Sequence, residues 1–195
     1  MEQRVITLFH ESIEAKMQAG EHLAPLIAEA SNMIVHSLLN ESKILICGNG
    51  IATAHAQIFS TLLVDRFERE RPGLPAITLA SDFVTQSAIA NDSSYNDIFA
   101  KQVRTLGQPG DILICISSSG NSSNMIQAVA AAHERDMQVI AITGGDGGNL
   151  SSLLDAEDIE LRAQVYSRSR IHEIHLLTIF CLCDLIDQQL FGPTE

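Results

Sequence analysis

Five short apolar runs punctuate the chain: Lys43–Cys47, Pro75–Leu79, Asp111–Ile116, Gln138–Thr143 and Asp158–Arg162. Most are nearly continuous in hydrophobicity rather than alternating, the pattern of strands covered on both faces. The segments Ala52–Arg66, Ser122–Arg135 and Arg170–Leu190 carry helical periodicity. Strands alternating with helices predict an α/β fold, a three-layer, doubly wound, five-stranded parallel sheet with right-handed crossovers. Ahead of the first strand, two further helical segments are expected over Glu2–Ala19 and His22–Leu39. In the first of these Val5, Leu8, Phe9 and Ile13 form an apolar stripe that needs covering, and a second subunit is the expected cover. No low-complexity linker, internal repeat or composition break divides the chain. A single domain over residues 1–195 is therefore expected, with residues 1–40 used in oligomerisation and residues 41–195 forming the α/β core.

Composition narrows the partners. The net charge of −12 argues against bare nucleic acid, whose phosphates require clustered Lys and Arg. Hydrophobic residues make up 46% of the chain, yet no apolar stretch reads as long and uninterrupted enough to span a bilayer. The opening residues, MEQRVITLFHESIEAKM, carry charges throughout and lack the apolar run of a signal peptide. Cys47 and Cys115 lie inside apolar runs, and Cys181 and Cys183 stand two apart on a helical segment and so point in different directions. Four buried, reduced thiols and a cytoplasmic location are the expectation.

In open parallel sheets, ligands bind beyond the carboxyl ends of the strands. The first run passes into Gly48-Asn49-Gly50 and then directly into a helix. By itself this reads better as a tight strand-to-helix turn than as a ligand loop. The third run passes into Ser117-Ser118-Ser119-Gly120-Asn121-Ser122 ahead of another helix. Four hydroxyls, a glycine and a helix start concentrate neutral donors and a dipole end, which suits a phosphate monoester without needing Lys or Arg. The alternative is one capping serine among ordinary loop residues. The fourth run ends in Thr143-Gly144-Gly145-Asp146-Gly147-Gly148, which reads as a loop beside the same site or, nearly as well, as a flexible glycine turn.

The motifs CGNG (Cys47–Gly50), ISSSGNS (Ile116–Ser122), TGGDGG (Thr143–Gly148) and RIHEIH (Arg170–His175), in this order, resemble the sugar isomerase (SIS) domain family. Asn91–Phe99 and Glu70–Ile77 add to the likeness, which covers nearly the whole chain. The resemblance implies a phosphosugar site at Asn49, Gly50, Ser117, Ser118, Ser119, Gly120 and Ser122. Within the family the chain is similar to two bacterial branches. One is phosphoheptose isomerase, a zinc enzyme acting on sedoheptulose 7-phosphate. The other is the DnaA initiator-associating protein DiaA, a non-catalytic homotetramer.

The metal positions separate these branches. In the isomerase, the helix after the GNG loop presents a zinc-binding His and, one turn on, an acid/base Glu; Ile58 and Leu62 stand there in this chain. The isomerase's last helix supplies a Gln and, two turns later, a His; His172 and Phe180 match them. Ala52 also replaces a serine that the isomerase uses. With three of four groups apolar, the resemblance points to no catalytic residues, no cofactor and a DnaA-binding regulator of replication initiation. Leu190 and Phe191, at the end of the last helix, serve as the partner anchor in that reading or as a lock against the subunit in the alternative. Two further alternatives stay open: a phosphoheptose isomerase with a rearranged zinc site at His55, His172 and His175, and a phosphosugar sensor. Glu173, between the last two histidines, is expected to face Arg170 or a subunit interface.

Overall fold

The computed structural model describes residues 1–193. Five parallel strands, β1 (Ile44–Gly48), β2 (Ala76–Thr78), β3 (Ile112–Ser117), β4 (Gln138–Gly144) and β5 (Ile159–Ala163), form one sheet in the order β2-β1-β3-β4-β5. The expected doubly wound, five-stranded sheet is therefore present, each strand within one residue of its predicted bounds. β1, β3 and β4 are buried along almost their whole length, which is why their sequences do not alternate. Register places Ser117 opposite Thr143 and Gly144 opposite Ala163, so the serine and glycine loops leave the sheet side by side.

The helices are α1 (Glu2–Leu39), α2 (Ile51–Val64), α3 (Phe83–Asp92), α4 (Ala100–Leu106), α5 (Ser123–His133), α6 (Gly148–Ser151) and α7 (Arg168–Phe191). One face of the sheet carries α1, α2 and α7 over a core that includes Ile34, Ile46, Phe59, Ile114, Ile142 and Leu182. The other face carries α4 and α5 over Leu45, Phe99, Val103, Leu113, Val129 and Val139. The sequence pattern missed α3, α4 and α6, which are short and have weak periodicity.

Two expectations need correction. The paired N-terminal segments are one continuous 38-residue helix that runs through both Gly20 and Pro25. Proline removes one internal hydrogen bond and disfavours a helix. Here Leu23, Ile27, Ala30 and Ile34 are buried across the site of the break, so packing against α7 carries the helix through it. The second concerns α7, which by length and composition alone is long and apolar enough to cross a membrane. It is instead a core helix, burying Ile171, Ile174, Ile179, Leu182 and Ile186 together with the polar His175 and Asp187.

Candidate functional site

The first strand-end loop turns tightly. A Cβ at Gly48 would meet the Ala52 carbonyl oxygen at 2.7 Å, and Gly50 sits at φ +57, so this turn requires glycine. Asn49 does not point out to close over a ligand. Its amide exchanges two hydrogen bonds with Asn124, at 2.8 and 2.9 Å, and accepts one from the Tyr95 hydroxyl at 3.3 Å. Asn124 lies in the first turn of α5, so this amide pair ties the GNG loop to the helix that follows the serine loop. Neither Asn124 nor Tyr95 was legible beforehand, because their partners are distant in sequence.

The serine loop is held from both sides. The Ser117 hydroxyl turns inward and accepts from the Gly120 N–H at 3.0 Å, and the Gly120 carbonyl accepts from Leu150 N–H at 2.9 Å. Gly120 stands at φ +64, and a Cβ there would sit 1.8 Å from the Gly147 carbonyl oxygen. The TGGDGG loop thus packs directly on the serine loop, as its position had suggested. Ser118 is half-buried and Ser119 exposed, and the Ser119 hydroxyl accepts from the Asn121 N–H at 3.4 Å. Ser122 occupies the N-cap position of α5, but its side chain makes no capping hydrogen bond. The single-cap explanation for these serines does not describe the structure. The first N–H groups of α5 have no side-chain cap, and such groups favour an anion.

Beside these loops three imidazoles converge. His55 comes from the buried face of α2, and His172 and His175 are three apart on α7. Each offers a ring nitrogen within 4.8 Å of the others, and the ring centroids are 5.3, 6.1 and 6.2 Å apart. His175 Nε2 pairs with the Thr143 backbone carbonyl at 2.8 Å, where β4 enters the TGGDGG loop. The Nδ1 atoms of His55 and His175 and both ring nitrogens of His172 are buried without a hydrogen-bond partner. Each such atom costs about 1–3 kcal/mol when left unsatisfied. Burial lowers the pKa of all three, that of His175 to about 4; His172 further depresses His55, and Arg168 further depresses His172. At neutral pH the cluster is uncharged and its lone pairs are available.

The carboxylates on neighbouring elements are engaged elsewhere. Glu160 on β5 accepts from Thr143 and Ser151 hydroxyls and pairs with Arg162, contacts that hold its pKa down against the opposing effect of burial. Glu173 pairs with Arg170 at 2.9 Å, as expected, and accepts from the Ser12 hydroxyl of α1 at 2.5 Å. The positions at which the isomerase resemblance expects zinc chemistry carry none. Ile58 is 37% exposed on the outer side of α2, Leu62 packs on the edge of the core, and Phe180 stacks on Phe67 at 6.0 Å. A zinc site built in that form does not fit these residues.

The SIS domain family model matches residues 8–144. The chain belongs to the SIS domain family. This SIS protein is 57% identical over 192 residues to a phosphoheptose isomerase of Chromohalobacter salexigens, covering 98% of each chain. It is 50% identical to that of Thiobacillus denitrificans, again over 98% of both. The phosphoheptose isomerase structure from Francisella tularensis superimposes with a TM-score of 0.92 at 45% identity, covering 95% of this chain and 97% of that one. The Neisseria gonorrhoeae phosphoheptose isomerase gives 0.91 at 43%, covering 96% and 98%.

These relatives overturn the reading of the SIS chain as a non-catalytic, DnaA-binding regulator of replication initiation. That reading took the apolar Ile58, Leu62 and Phe180 as loss of chemistry. Those three positions do not decide the matter, and folding gathers His55, His172 and His175 one turn away on α2 and on α7. Leu190, expected as an exposed partner anchor, packs against the core, Phe191 is half-buried, and the Gly192 carbonyl that follows accepts from Arg69 at 2.7 Å. The helix end is held against its own chain.

Proposed function

We propose that the chain is an aldose–ketose isomerase acting on a phosphorylated heptose. The carrying observation is the likeness to phosphoheptose isomerases along both full lengths, on a chain whose serine loop keeps an uncapped helix start. In this reading the hydroxyls of Ser118, Ser119 and Ser122 and the first N–H groups of α5 hold the phosphate, while Ser117, Gly120 and the Asn49–Asn124 pair fix the loop. The dipole end and neutral donors explain how a chain of net charge −12 takes an anionic substrate.

Isomerisation moves a hydrogen between neighbouring sugar carbons, which requires a group able to take and return a proton near neutral pH. The reading places the reacting carbons beside the imidazole cluster, and Glu160 and Glu173, committed to ion pairs, are not the proton carriers. The zinc ion that the isomerase resemblance implies would supply Lewis-acid polarisation of the sugar oxygens, and His55, His172 and His175 are the residues able to hold it. The free thiols fit a reducing, cytoplasmic setting.

The test is turnover of sedoheptulose 7-phosphate by zinc-supplied protein, followed by product analysis, beside Ser119→Ala. Turnover is expected in the parent, with KM raised several-fold in the variant. Absence of turnover in folded, zinc-supplied parent would overturn the assignment.

A further inference from the structure

We propose that His55, His172 and His175 form a binding site for a divalent transition-metal ion of the zinc class, in a place that uses none of Ile58, Leu62 and Phe180. The cluster differs from ordinary buried histidines in what its nitrogens touch. A buried imidazole in a core pairs its nitrogens with backbone or side chains. Here four ring nitrogens have no partner. Among the described residues, the one other buried side-chain nitrogen or oxygen in that condition is Oδ2 of Asp187.

The one hydrogen bond the cluster makes has the form metal ligands use. His175 Nε2 donates to the Thr143 carbonyl, which fixes the tautomer and leaves the buried Nδ1 lone pair without a partner. Three imidazoles match the donor set of zinc rather than of magnesium or calcium, which prefer oxygen. Zinc–nitrogen bonds of about 2.0–2.1 Å in a tetrahedral site separate donors by roughly 3.3 Å. The rings, with donors within 4.8 Å of one another, close to that spacing by small rotations. Three protein ligands leave a fourth position free, the arrangement of a catalytic site rather than a closed structural one. The Thr143 contact places the cluster one strand away from Ser117.

A second group, His133 with Asp155 and Asp158, lacks these features. His133 Nε2 already pairs with Asp158 at 2.8 Å, and the Asp158 oxygens accept from Val139 and Asp155 N–H groups, both at 2.8 Å. It is a structural knot around β5 and serves as the control.

The experiment uses the full chain, stripped with chelator and dialysed, then titrated with Zn²⁺ by calorimetry and with Co²⁺ by visible absorption, alongside elemental analysis. The parent and His133→Gln are expected to take up one equivalent per chain. His172→Gln should weaken binding by more than the roughly 10–100-fold that loss of an outer-shell partner costs. His55→Gln/His172→Gln should abolish uptake and the cobalt spectrum. If the double variant fails to fold, the imidazole NMR signals of His175 in the parent decide, since they should shift on Zn²⁺ addition. No stoichiometric uptake by the parent, uptake unchanged in folded histidine variants, or unmoved His175 signals would overturn the site. This outcome is separable from the isomerase reading. Zinc uptake without sugar-phosphate turnover removes that reading and leaves the site, and turnover without zinc uptake does the reverse.

Discussion

His175 is 1% exposed, and its contacts on the sheet side are to backbone. Burial, with His55 and His172 opposing further positive charge, pushes its pKa from 6.5 down to about 4. In the unfolded chain the same ring titrates near its ordinary value. Between those two values the unfolded state binds a proton that the folded state refuses, so stability falls as the pH falls through that window. The contribution is whole above pH 6.5 and lost as the pH drops toward 4, amounting to about 3 kcal/mol for a shift of this size. Urea unfolding in the presence of chelator should show this acid-side slope, and His175→Gln should flatten it by a comparable amount. Much at this scale was hidden in the sequence. Ser117 and Asn49 could be picked out as polar loop residues, but their inward-turned bonds depend on Gly120 and Asn124.

At the scale of elements, the join between α2 and α7 decides where side chains for chemistry stand. Arg71, in the ERPGLPAI segment, donates to the Leu62 and Leu63 carbonyls at the end of α2 and to Asp187 of α7 at 2.9 Å. Side chains of both partners are nearly inaccessible, at 1% and 5% exposure. Breaking a buried pair by removing one partner leaves an unpaired charge and costs about 3–5 kcal/mol. Asp187→Ala is therefore expected to lower the unfolding free energy measured in urea by that margin, with a fall in the midpoint, and to loosen the imidazole cluster, which α2 and α7 share. A midpoint unchanged from the parent would show that Arg71 finds water or another acceptor. The helices themselves were readable from periodicity. Which face of α2 met α7 was not, and that facing is what puts His55 inside and Ile58 outside.

For the whole molecule, the N-terminal half of α1 is the unfinished surface. Val5, Ile6, Phe9, Ile13 and Met17 are all about half exposed or more, although the same helix is buried from Ala19 onward against its own chain. An apolar stripe on a straight helix is self-complementary about a two-fold axis, so a second copy of this chain is the proposed cover, the first step of the proposed homotetramer. Light scattering should report a mass of several chains for the parent and a clear drop for Phe9→Asp/Met17→Asp. An unchanged mass in the variant would remove α1 from the interface.

The sequence by itself determined the layered α/β fold, because continuous apolar strands separated by amphipathic helices have few other ways to bury their faces. It also marked out the serine and glycine loops that the proposed function uses as a ligand cradle, since strand-end glycines, hydroxyls and a helix start act locally. The continuity of α1 through Pro25 was left to tertiary packing, which outweighs a local helix breaker when both sides of it are buried. The meeting of His55 with His172 and His175 was left to it too. A cluster drawn from two helices more than a hundred residues apart is a property of how those helices face each other, and no spacing within either one encodes it.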